Sequence, residues 1–203
     1  PAASAQYFDH AYEFKGRSGT GPGIYHGLVK RTFLNKLKRR RGSFFKEDNP
    51  DLDSGLSTLL YADRFVDTTY PIYLSGTCGA SNSAAMNDSY KSQNSLSVFT
   101  SESRKKYGDI IWSDLEKIKT IDSAIISAMR RFLPEVNKVI RGGKIKLNKQ
   151  NMFNLLCDGV GNGYDTTTFN VQVEELKNIA KKWEVLDECI PNPQLPSLGI
   201  MTD

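Results

Sequence analysis

A chain of 203 residues with 39% hydrophobic and 10% aromatic side chains has enough apolar surface for one sizeable core. Its 27 basic and 23 acidic residues leave a formal charge of +4, too little to mark a dedicated nucleic-acid binder and equally suited to anionic small ligands. No apolar run approaches the roughly 18 to 20 residues that span a bilayer, and Cys78, Cys157 and Cys189 form no CxxC pattern, which argues against a zinc site or a disulfide framework.

The first residues, PAASAQYFDHAYEFKGRSGTGPG, are rich in Gly, Ala and Ser. An aromatic cluster, Tyr7, Phe8, Tyr12 and Phe14, precedes any regular element, so the stretch reads as a loop from a longer protein or as a processed terminus. Gly19 to Gly23 is a strong breaker, and Arg17 to Gly23 lacks the order of a P-loop. Ile24 to Val29 has the composition of a short buried strand. A basic helix is expected over Lys30 to Arg41, with Phe33, Leu34 and Leu37 inward and Gly42 as its stop. Asn49 as cap and Pro50 in the first turn open a second helix, with Leu52, Leu56, Leu59 and Leu60 on its apolar face, ending near Ala62. Phe65 to Leu74, interrupted by Pro71, reads as an edge strand.

From Gly76 to Ser89 the chain is small and polar, the composition of a mobile surface loop. Apolar spacing near 3.6 then predicts helices over 92–106, 112–140 bent or broken near Pro134, 147–160 and 167–186. In the last, Thr167 or Thr168 is a cap, and Phe169, Val173, Leu176, Ile179, Ala180 and Trp183 form the inward stripe. Arg141 to Gly143 and Asp158 to Asp165 are linkers, and the three prolines after Ile190 indicate an extended tail. No internal repeat is present. The expected organisation is an α/β half, residues 1–88, followed by a mainly α-helical region, residues 89–203.

Tyr25-His26-Gly27-Leu28-Val29-Lys30-Arg31, then Asn49-Pro50-Asp51, then Gly76-Thr77 with Ser81-Asn82, resembles in its order the C-terminal half of family 2 glycosyltransferases of the GT-A fold. The resemblance spans Ile24 to Asn82. It implies a partial GT-A, Rossmann-like half carrying the acceptor side. The nucleotide-binding half with its DxD metal motif would lie upstream, so the chain is expected to be either a fragment of a longer enzyme or a relic that binds without catalysing. Asp51 and Asp53 form the one Asp-x-Asp in the chain, and they fall at a different place in that order.

The implied activity is inverting transfer of a sugar from a nucleotide-sugar donor to a glycan or lipid-linked acceptor. Such a transfer needs one carboxylate to take the acceptor hydroxyl proton. Asp51 matches the position of that base, with Asp53 two residues on as the alternative. Tyr25, His26, Asp53 and Arg31 are the implied acceptor- or donor-binding residues. Mg²⁺ or Mn²⁺ is implied for the full enzyme, on ligands outside this chain. A cytoplasmic location follows, with peripheral contact at the inner face of the membrane.

Each of these residues also has a plainer account. Asp51 suits a first helical turn through the helix dipole, His26 suits a strand end bonded to backbone, and Tyr25 suits a core. The run Lys30, Arg31, Lys36, Lys38, Arg39, Arg40 and Arg41 draws in a diphosphate, an acidic acceptor or an anionic membrane, or grips nucleic-acid phosphates, or is a solvated helix face. Gly76 to Asp88 either orders over a donor or links two halves. No GxSxG elbow is present. The alternative to a transferase is a non-catalytic protein-interaction domain built on the helices of Ser92 to Leu186, with the basic helix contributing charge. A nucleic-acid-binding module is the third option, to be shown by steep salt dependence of binding to unspecific DNA, although nucleic acid is not the expected partner.

Overall fold

The computed structural model describes residues 8–15, 28–47, 49–64, 101, 104–105, 108, 113–140, 144–161 and 166–191. The longer α-helices among them are α1 Arg31–Arg41, α2 Pro50–Tyr61, α3 Ile121–Val139, α4 Lys149–Gly161 and α5 Thr166–Trp183, and residues 8–12 are helical as well. A 3₁₀ turn, Ser113–Leu115, precedes α3.

The termini of α1 and α2 are written in the sequence. Gly42 takes the left-handed conformation at φ 84° and donates its N–H to the Lys38 carbonyl, which stops α1. Asn49 Oδ1 accepts from the Leu52 N–H at 3.1 Å, and Pro50 sits where its missing N–H costs no hydrogen bond. α3 starts later than its apolar pattern suggests. A reciprocal capping box, with Thr120 Oγ1 accepting from Ser123 N and Ser123 Oγ from Thr120 N, sets the boundary. Pro134 lies within α3 on its exposed side, and the helix runs on to Val139. α5 ends at Trp183 although Val185 and Leu186 continue its apolar pattern. Glu184 turns left-handed at φ 57°, and the Val185 N–H reaches back to the Ala180 carbonyl at 3.1 Å.

Packing proceeds in chain order, α2 on α3, α3 on α4 and α4 on α5. Leu52, Leu56 and Leu59 of α2 meet the Ile126, Met129, Phe132 and Val136 stripe of α3 in one continuous core. Met152, Phe153 and Leu156 of α4 and Val173, Leu176, Ile179, Ala180 and Trp183 of α5 extend it. Phe169 is partly buried against the same cluster, so the inward stripe expected for the last helix is present. The core crosses residue 88, since α2 belongs to the same cluster as α3 to α5.

The expected α/β, GT-A-like half is corrected here. Among the described residues there is no strand, and the architecture is all-helical. At the end of the expected first strand, Leu28 is 95% exposed in a non-regular segment leading into α1. Short apolar runs do not distinguish strand from coil, and here the long helical stripes supply the burial. Phe65 to Leu74, Gly76 to Asp88 and most of 92–106 lie outside the described residues.

Three of the early aromatic residues, Phe8, Tyr12 and Phe14, are buried core rather than loop, and Tyr7 lies outside the described residues. Tyr12 Oη donates to the Met129 carbonyl at 2.8 Å, while its ring meets Phe14 edge-on at 6.1 Å. The expectation of irregular structure failed because the segment is too short for a periodic signal and is fixed by contacts distant in sequence.

Candidate functional site

α2 separates the two carboxylates singled out in the sequence. Residues two apart on a helix point about 200° from one another. Asp51 accordingly faces solvent, while Asp53 is only 1% exposed. Their DxD spacing therefore places them on opposite faces of the helix and not around one ion.

Asp53 is held by its neighbours. Arg41 Nη2 donates to its Oδ1 at 2.6 Å and Nη1 to its Oδ2 at 3.3 Å, while the Lys46 N–H donates to Oδ2 at 2.8 Å. The same guanidinium donates through Nε to Glu135 Oε1 at 2.8 Å and through Nη1 to the Phe44 carbonyl at 3.0 Å. Its plane lies over the Phe132 ring, 5.3 Å from the centroid. Tyr61 Oη donates to Glu135 Oε1 at 2.7 Å. One arginine at the end of α1 thus ties α1 to α2 and to α3.

Burial alone would ease the proton off Arg41, but the hydrogen bond and charge of Asp53, with Glu135 behind them, outweigh it and raise its pKa. The guanidinium stays charged, as a buried pair of this kind requires. Burial, and then the Glu135 hydrogen bond and charge, push the Tyr61 hydroxyl above its ordinary value. With Asp53 accepting from three donors, the cluster is an ion-paired joint between helices.

The basic run divides by helix face. Arg41 is buried with Leu37, one turn before it. Lys36 pairs with Asp63 at 3.2 Å. Arg40 lies over the Tyr61 ring at 5.7 Å and Lys38 over Phe44 at 5.8 Å. Lys30, Arg31, Lys38, Arg39 and Arg40 are exposed. Arg31 and Lys38, two turns apart, share one ridge with exposed Asn35. α1 contains no acidic residue.

Of the expected site residues, Asp51 and Arg31 are exposed on different helices, Asp53 is in the joint, and Tyr25 and His26 lie outside the described residues. The roles of Arg41 and Glu135 went unread in the sequence. A helical wheel carried the signal for Arg41, since it continues the inward ridge of Leu34 and Leu37. Among the described residues, no group of three or more His, Cys, Asp or Glu side chains is placed to hold a metal ion, and no helix is long and apolar enough to cross a membrane.

No protein-family model, curated protein or solved structure matches the chain.

Proposed function

We propose that this chain is a protein-interaction module in which a helical bundle holds out the basic face of α1 to an acidic surface on a partner protein. The observation that carries this is the division of α1. Arg41 is held in the buried joint, whereas Arg31, Lys38 and Arg39, with Lys30 at the N-cap, are exposed on a helix with no acidic residue. A helix so anchored presents its charges at fixed spacing along roughly 16 Å. Rigid presentation lowers the ordering cost of binding, and charge complementarity raises encounter rate and specificity. The patch is short, and the whole chain carries only +4, which favours an acidic protein segment over nucleic acid.

The test is binding of fluorescent poly-L-glutamate at low and moderate salt. The wild-type chain should bind with a clear loss as salt rises. The variant K30E/R31E/K38E/R39E should lose at least about tenfold in affinity, equivalent to about 1.4 kcal/mol. Equal binding by both proteins would remove α1 as the contact, and tighter binding to duplex DNA of matched charge would replace the protein partner with nucleic acid.

A transferase role retains one supporting observation, the exposed carboxylate of Asp51 in the first turn of α2, where the motif resemblance puts the base. It rests otherwise on the order of the motifs. Consumption of a nucleotide-sugar with Mg²⁺ or Mn²⁺ by an intact protein that joins the donor-binding half to this chain, reduced about 10²-fold or more in Asp51→Asn, would restore it.

A further inference from the structure

Residues 185–191, which follow α5, lie along α4. Gln150 clips the backbone of Leu186 from both sides, its Oε1 accepting from the Leu186 N–H at 2.7 Å and its Nε2 donating to the Leu186 carbonyl at 3.0 Å. At the far end, Gly161 faces Pro191 so closely that a Cβ on the glycine would stand 3.4 Å from the proline Cβ. Between these contacts, Cys189 Sγ donates to Cys157 Sγ at 3.0 Å. Residues 150, 157 and 161 are seven and four apart, which puts them on one face of α4. The thiols therefore meet midway along a segment already aligned at both ends. Cys157 is buried, whereas Cys189 is only half-buried.

We infer that Cys157 and Cys189 are a reversible oxidation site, at which a peroxide converts the two thiols into a disulfide that staples residues 185–191 to α4. The sulfurs need to approach by about 1 Å to reach bonding distance, and the turn closed by the Ile190 N–H on the Asp187 carbonyl carries one of them. Cys189, the more exposed, meets the oxidant. Its thiolate attacks a peroxide oxygen, the O–O bond breaks, and Cys189 becomes a sulfenic acid as water leaves. Cys157 Sγ then attacks the Cys189 sulfur, the S–O bond breaks, and the departing hydroxide leaves as water with the Cys157 proton. In sum, two thiols and one peroxide give one disulfide and two waters. The sulfurs supply the two electrons that reduce the peroxide. Burial, with the Cys189 contact second, raises the Cys157 thiol pKa, so it resolves the sulfenic acid rather than reacting first.

The experiment treats the full chain with hydrogen peroxide, as wild type and as Cys78→Ser to remove the third thiol. Remaining thiols are then alkylated, and the products are mapped by non-reducing mass spectrometry. The expected result is a chain lighter by two hydrogens, with the tryptic peptides of Cys157 and Cys189 joined. Its Tm should rise by about 5–10 °C and fall back with dithiothreitol, and Cys189→Ser should show neither change. Full alkylation of both thiols after peroxide, sulfinic acid on Cys189 alone, or disulfides only between chains would each overturn the inference.

Discussion

Arg41 grips both carboxylate oxygens of Asp53, and through that fork the last turn of α1 is fastened to the first turn of α2. Both side chains are almost wholly buried, and Glu135 of α3 completes the joint. Removing one partner strands a buried charge, so Arg41→Ala and Asp53→Asn should each cost about 3–5 kcal/mol in urea unfolding. The apolar pair Arg41→Met with Asp53→Leu should cost clearly less than the sum of the single changes, because neither charge is then left behind. Additive losses would show that the fork is not a coupled unit.

Asp51 lies two residues from this joint and shares none of it. Its carboxylate faces solvent in the first turn of α2, where the helix dipole is its main stabilising interaction. Asp51→Asn should therefore lose only about 0.3–1 kcal/mol, several times less than Asp53→Asn. A loss comparable with that of Asp53→Asn would place Asp51 in the packing of the helix start.

The sequence carries its helices where local chemistry writes them. Gly42 and Asn49 delimit α1 and α2 because a left-handed stop and a side-chain cap act within one turn. The stripe from Val173 to Trp183 is legible because 3.6 periodicity and burial coincide over several turns. Other features depend on partners far along the chain. Phe8 and Tyr12 are core because α3 lies beside them, and Tyr12 reaches Met129 across 117 positions. Asp53 drew attention through its spacing from Asp51. Its fate was set by its place beside Leu52 and Leu56 on the buried side of α2, and by an arginine hidden in a run of exposed cations.

Tyr12 links the early aromatic cluster to α3 and gives the fold an alkaline limit. Burial, and secondarily the charge of Glu47, hold its hydroxyl well above the ordinary value of 10.0. The unfolded chain releases this proton near pH 10 while the folded chain retains it, so the stabilising contribution is intact below pH 10 and is lost as pH climbs above it. Between pH 10 and 11.5, wild type should lose about 1–2 kcal/mol more than Tyr12→Phe. At pH 7 the variant should be weaker by about 1 kcal/mol through the lost bond to Met129. Parallel pH profiles would show that another group sets the limit.

Gly159 sits where α4 passes close to the start of α3. A Cβ there would lie 2.6 Å from Asp122 Oδ2 and 3.2 Å from Thr120 Oγ1, inside the contact distance of both. Thr120 belongs to the capping box, and Asp122 is buried in the first turn of α3, so neither side chain can withdraw without disturbing that helix start. Helix propensity alone favours alanine over glycine by about 1 kcal/mol in a helix interior. Overpacking of a fixed neighbour costs about 1–3 kcal/mol and should prevail. Gly159→Ala should thus unfold at lower urea concentration than wild type, and Asp122→Ala in the same chain should recover part of the loss if the clash is with that carboxylate. An unchanged midpoint in Gly159→Ala would mean that the start of α3 yields freely and that propensity decides at this position.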